Sequence, residues 1–238
     1  MRVTLAVLFV RPEDQLPDLV AALLRRLRIL GLKISRLYFD KGFCTTPVLR
    51  YVEKSGWSAI LACPIRGKKG GTRGLCRGRA SYHTQHTFKS QKYGDYTAPI
   101  TVVRTYTSHK RSKRGKRRAT WLVYVTLNCT LTPKSVRKCY RRRFGIETSY
   151  RCMRQVRAWT TSRNAALRFL LMSLGFILVN IWLEFRWYFC QVKQRRGPRK
   201  IDVKRFELQR MLAFLNRVIE KSYGAVSFIK ADVTPLGV

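Results

Sequence analysis

Acidic side chains are what this sequence has least of. Only 12 Asp and Glu stand against 49 Lys and Arg, a net charge of +37 over 238 residues. A chain so poor in carboxylates needs an anionic partner, and nucleic acid is the first candidate. The basic residues run along nearly the whole length, which excludes an ordinary protein with a basic tail. Paired cysteine spacing is also missing. The seven Cys, at 44, 63, 76, 129, 139, 152 and 190, are odd in number and scattered. That excludes a disulfide framework and points to a reducing compartment, the cytoplasm. There is no glycine-rich phosphate loop and no Ser/His/Asp arrangement. No secretory signal is visible either, because the apolar start, Met1 to Val10, is short and runs into Arg11-Pro12. Phe169 to Leu183 is fifteen residues without charge, closely bounded by Arg168, Glu184 and Arg186. A bilayer span takes about 20 residues, so the stretch reads as a buried core helix and no membrane partner is expected.

What is present is enough apolar residue for a real core: 46%, with five Trp and twelve Phe, a heavy load for a ribosomal-type protein. Arg2 to Val10 is apolar and β-branched and reads as a strand. Leu16 to Leu30 repeats its apolar residues at helical spacing and stops at Gly31. Ile34 to Phe39 reads as a strand leading into Asp40, Thr45 to Lys54 as a helix, and Trp57 to Cys63 as a strand. The alternation predicts an α/β unit with a partly parallel sheet. Between Arg66 and Arg118 the character changes, with 16 Lys/Arg and one acid, Asp95. This stretch, with the strands Tyr82 to Phe88, Ile100 to Tyr106 and Trp121 to Leu127 and a loop from Ser108 to Arg118, reads as a β-rich basic insertion. Helix returns at Pro133, after Thr132 as N-cap, and is expected to run unbroken past Arg154. A second helix covers about 164–189, Lys193 to Lys200 reads as a basic linker, and Asp202 to Lys221 as a last amphipathic helix. The expected organisation is a core of 1–66 and 129–190, an insertion of 67–128, and a linker with C-terminal helix over 191–238.

With so few acids, each can be followed. Most sit at helix starts or on helix surfaces. Asp40 follows the strand Leu37-Tyr38-Phe39, and functional groups of parallel sheets gather at the carboxyl ends of strands. It is a candidate metal ligand, with a helix N-cap as the equal alternative. Glu147 is the sole acid among eleven basic residues from Lys134 to Arg168. On an unbroken helix, Tyr140, Arg143, Glu147, Arg151 and Arg154 fall within an arc of about 80°. Such a face suits a metal ion held against a nucleic-acid backbone, with the alternative that Glu147 only pairs with Arg143 and Arg151. Two carboxylates can hold hard divalent cations, and the arginines can grip phosphates. Cys76, His83 and His86 have a C-x6-H-x2-H spacing that is not a usual zinc site, so the histidines read as strand residues.

These residues resemble a family, the DDE transposases of bacterial insertion sequences. One branch carries a Y-(2)-R-(3)-E-(6)-K signature, which Tyr140, Arg143 and Glu147 match, with Arg154 where Lys is usual. Asp40-Lys41-Gly42-Phe43 is similar to that family's second-aspartate motif. The resemblance covers about 1–190. It implies a ribonuclease-H-like α/β catalytic core with the β-rich insertion. It further implies catalysis of DNA cleavage and strand transfer by two Mg²⁺ or Mn²⁺ ions on Asp40 and Glu147. Tyr140, Arg143, Arg151 and Arg154 are the implied DNA contacts. The implied partners are the transposon's terminal inverted repeats and target DNA, met by a homodimer in a synaptic complex, and the implied location is the nucleoid. The family's first aspartate has no counterpart on the strand Val3 to Val10. The expectation is therefore an N-terminally truncated copy, inactive alone, with a non-catalytic DNA binder that competes with a full-length transposase as the alternative.

Overall fold

A computed structural model describes residues 2–67, 70–108, 117–192, 194, 196–197 and 200–224. Most of the expected loop after Ser108, part of the basic linker and the tail from 225 lie outside the described residues. The chain forms two compact units, Leu5–Gly145 and Met1–Thr4 with Ile146–Val238.

The first unit is built on a five-stranded mixed sheet. Its elements are α1 (Leu16–Ile29), β1 (Leu37–Phe39), α2 (Thr46–Lys54), β2 (Ala59–Ala62), β3 (Tyr82–Phe88), β4 (Tyr96–Ser108), β5 (Arg117–Leu127) and α3 (Pro133–Tyr140). Sheet order is β1-β2-β5-β4-β3. β1 and β2 run parallel, with Leu37, Tyr38 and Phe39 opposite Ala59, Ile60 and Leu61, and the other pairs are antiparallel. The strands of the basic stretch thus continue the sheet that β1 and β2 begin.

Alternation along the strands decides which helix packs where. Ala59 and Leu61 join Ile100, Val102, Val123 and Val125 in a core with Val20 and Leu24 of α1 and Val48, Leu49 and Val52 of α2. Ile60 points the other way, into a smaller cluster with Val103, Tyr124, Val136 and Tyr140. Helices therefore cover both faces. His83 and His86 stand on opposite faces of β3 by the same rule, so they cannot share an ion. The His83 imidazole Nδ1 lies 3.0 Å from the Thr101 hydroxyl, itself 3.2 Å from that of Thr126.

Two expectations for this unit change. The stretch from Arg2 to Val10 forms no strand: among the described residues no strand pairs with it, and side chains meet some of its backbone groups. The Val7 carbonyl accepts from the Arg26 guanidinium at 3.0 Å. In the second unit the Thr4 amide donates to the Asn180 side-chain oxygen at 2.9 Å, and the Asn180 amide donates back to the Thr4 carbonyl at 2.7 Å. The helix from Pro133 is also broken: α3 ends at Tyr140, Arg141–Phe144 tightens into a 3-10 turn, and α4 begins afresh as Gly145–Val156. The regular spacing of about 100° per residue therefore does not run unbroken from Tyr140 to Arg154.

The second unit is helical, with α4, α5 (Ala165–Phe189), a two-stranded ribbon of β6 (Gln191–Val192) and β7 (Lys200–Ile201), and α6 (Leu208–Tyr223). Asn164 caps α5, its side-chain oxygen accepting from the Ala166 and Leu167 amides. α4 and α5 approach closely at Gly175, where a Cβ would lie 3.1 Å from Met153 Cγ. The Tyr150 and Phe176 rings meet edge to face at 5.6 Å, and the Trp182 indole donates to the Phe206 carbonyl at 3.1 Å. α5 is not the buried core helix expected. Gly175, Phe176, Val179 and Trp182 are its buried residues, while Leu170, Leu174 and Ile177 remain about half exposed. By length and composition alone, with a mean hydropathy of 2.0, it is the one described helix able to cross a membrane.

Candidate active site

The short strand β1 ends at Phe39, and the chain leaves the sheet through Asp40. The carboxylate of Asp40 caps the 3-10 turn Lys41–Phe43, its Oδ1 accepting from the Lys41 amide at 2.8 Å. The bond realises the cap reading of Asp40. The side chain is 51% exposed, and its Oδ2 has no hydrogen-bond partner among the described residues.

Two residues of α3 and the following turn converge on this strand end. The Tyr140 hydroxyl donates to the Phe39 carbonyl at 3.1 Å. Its ring is 5% exposed and packs 4.9 Å from the Tyr124 ring. Burial, with Tyr140 as neighbour, pushes the Tyr124 phenol up to about 12. Tyr140 thus supports the strand end from within the sheet unit. Arg143 follows in the 3-10 turn. One of its guanidinium nitrogens lies 3.9 Å from Asp40 Oδ1, and the group stacks over the Phe144 ring at 5.0 Å and the Tyr140 ring at 5.7 Å. A guanidinium held between aromatic rings and a carboxylate keeps its position at small entropic cost. Sequence reasoning missed Tyr124 and Phe144 as the floor of this arrangement. The alternation of β5 was the available signal for Tyr124.

Glu147, Arg151 and Arg154 lie on α4 in the helical unit, and all three are exposed. At about 100° per residue they fall within an arc of about 60°, so they share one face of that helix. The structure thus joins Asp40, Arg143 and Tyr140 in one unit and groups Glu147, Arg151 and Arg154 on one helix of the other.

Among the described residues no three His, Cys, Asp or Glu side chains cluster as a cation site. The donors nevertheless suit a hard divalent ion, since Mg²⁺ is commonly held by one or two carboxylates, waters and substrate phosphates. Asp40 and Glu147 are exposed oxygen donors of that kind.

Beside Asp40, Cys44 lies past the 3-10 turn and Cys63 past β2. The neighbouring Cys63 thiol, helped by the nearby Arg66 guanidinium, holds the Cys44 thiol below its ordinary value against the effect of burial. The same pairing, together with burial, pushes the Cys63 thiol well up.

A family-wide sequence profile described as "Transposase DDE domain" matches residues 10–181. None of the curated proteins compared with the chain matches it. The mixed sheet with helices on both faces agrees with the ribonuclease-H-like arrangement of such a domain. With most of its length matched, the chain belongs to the DDE transposase family.

Proposed function

We propose that this chain works in DNA transposition as part of a DDE transposase of the branch with the Y-(2)-R-(3)-E-(6)-K signature, with Arg154 in the Lys position. The observation that carries the reading is the 3.9 Å approach of Arg143 to Asp40. It joins the second-aspartate motif and the signature motif, far apart in sequence, at the end of one strand. The substrates are the transposon's terminal inverted repeats and target DNA, handled by a homodimer in a synaptic complex at the nucleoid.

In this reading Asp40 and Glu147 are the protein ligands of Mg²⁺ or Mn²⁺. When bound, such ions activate a water or a 3′-hydroxyl and steady the leaving oxygen of a phosphodiester. The chain's own residues do the rest. Arg143, 3.9 Å from Asp40 Oδ1, orients the Asp40 carboxylate. Tyr140 positions Asp40 by holding the carbonyl of the preceding residue. Arg151 and Arg154, on the face of α4 that carries Glu147, grip backbone phosphates.

One observation favours a second reading. The net charge of +37 suffices for binding DNA without cutting it, as a non-catalytic competitor of a full-length transposase. A nicking assay on DNA bearing the element's ends, with Mg²⁺ or Mn²⁺, separates the two. The catalytic reading expects weak, metal-dependent nicking that falls to background in Glu147→Gln and in Asp40→Asn while DNA affinity is kept. Salt-dependent binding without any nicking establishes the non-catalytic reading, and no DNA binding at low salt sinks both.

A further inference from the structure

A site that the transposase reading does not use lies in the helical unit, between α4 and α5. The connecting residues 157–164 are held by their own bonds. The Arg157 amide donates to the Met153 carbonyl at 2.9 Å, the Ser162 amide to the Thr160 hydroxyl at 3.1 Å, and the Asn164 amide to the Ser162 hydroxyl at 3.1 Å. On this loop Trp159 is 89% exposed. It lines a cavity of about 300 Å³ with Arg157, Ala158, Thr160, Arg168 and Leu171. That volume is at the lower end of the range of ligand pockets, about 300–1,000 Å³. A large indole left in water over a formed cavity is costly unless something covers it.

The surrounding charge identifies the occupant. Between Glu147 and Glu184 the chain has five arginines and no acid. Two of those arginines, Arg157 and Arg168, are in the cavity wall. Flat aromatic surface beside guanidinium groups, with no carboxylate, matches a ligand that is both planar and polyanionic. Bases inside a duplex are stacked and paired, so an indole face receives only a base that has left the stack.

We propose that this loop is a nucleobase-stacking site: the Trp159 indole receives one unstacked base of single-stranded or locally opened DNA, and Arg157 and Arg168 hold the flanking phosphates. The proposal rests on the DNA-binding reading above and extends it from backbone contacts to a base. The stack is tolerant of sequence, because every base offers a π face.

Fluorescence anisotropy of the full chain with labelled single-stranded and duplex oligonucleotides of one sequence, at one salt concentration, tests it. Trp159→Ala is expected to weaken single-strand binding about 5- to 150-fold, with a much smaller loss on duplex, and Trp159→Phe to recover most of it. Trp159 is exposed, so neither variant endangers the fold. Equal single-strand affinity of the wild type and Trp159→Ala, with wild-type duplex binding intact, overturns this proposal alone. So does a Trp159→Ala that shifts the oligomeric state in sedimentation while leaving DNA affinity unchanged, which would mark a protein contact. A wild type that binds neither oligonucleotide overturns the DNA reading together with this one.

Discussion

In the sheet unit Val48, Leu49, Val52, Ala59, Ile60 and Leu61 are wholly removed from solvent; in the helical unit Val179 is fully buried, but α5 leaves Leu170, Leu174 and Ile177 about half exposed. Both regions are rich in apolar residues, so composition does not separate them. The difference lies in how many faces are covered. Strand alternation sends Leu61 towards α1 and α2 and Ile60 towards α3, so each strand is buried twice. α5 buries one row of residues and leaves much of its remaining apolar surface partly exposed. Mean hydropathy tells how much a segment would gain from burial, but the burial itself depends on what stands opposite. Asp40 is therefore carried by a densely packed support. Glu147 and Trp159 sit on a region whose sparse burial predicts opening at lower free energy.

The largest expected effect breaks or upholds that contrast directly. Ile60→Ala, at a fully buried position, is expected to cost about 2–5 kcal/mol, as truncations of core aliphatics do. Ile177→Ala, at a position 52% exposed, is expected to stay within about 0.5 kcal/mol. Guanidinium denaturation of both variants checks this through the midpoints at unchanged slope. Equal losses would mean that α5 is packed as tightly as the strands, and the contrast would be lost.

The same contrast explains what was legible in the sequence. β3 was read over its full span, Tyr82–Phe88, because alternation is strong there, and α1 because its apolar residues recur at three and four. Asp40 was legible because a strand followed by an acid is a local pattern. The stretch from Arg2 to Val10 has the same β-branched composition as a strand, but a strand exists only with a partner, and local sequence does not encode one. Nothing in Arg141-Arg142-Arg143-Phe144 announces a break in the helix: no proline and no glycine precede Gly145. In that 3-10 turn Arg143 comes against Asp40, a contact 103 positions apart in sequence that is visible only once β1 and α3 are placed. The expected burial of α5 failed for the reason given above.

A smaller effect sharpens the role of the supports beneath Asp40. Tyr140→Phe removes the hydrogen bond to the Phe39 carbonyl and leaves the ring contacts with Tyr124 and Phe144 in place. A loss of about 0.5–1.5 kcal/mol is expected in denaturation, together with faster amide exchange at Asp40 and Lys41. DNA affinity at fixed salt should not change. If affinity fell while stability held, Tyr140 would be a phosphate contact after all, and the sheet unit would offer DNA a surface rather than only a scaffold.

The smallest effect lies in reactivity, and it carries the comparison inside the sheet unit, where close packing makes two neighbouring thiols unlike. Cys44 is half-buried beside the buried Cys63 thiol, with Arg66 nearby, so its thiolate is favoured. Cys63 is paired with that thiol and desolvated, so its thiolate is disfavoured. The sign follows for alkylation, which only the thiolate undergoes. The Cys44 rate should stay near its maximum as pH falls past about 8.5, the free-thiol value, and decline only below it. The Cys63 rate should still be rising above that pH. Iodoacetamide labelling across a pH series, read site by site by mass spectrometry, measures both midpoints. Cys63→Ala should move the Cys44 midpoint upward, since the neighbouring thiol is gone while Arg66 remains. If Cys44 kept its midpoint in that variant, the guanidinium rather than the thiol pair would set its reactivity, and dense packing would not be what distinguishes the two sulfurs.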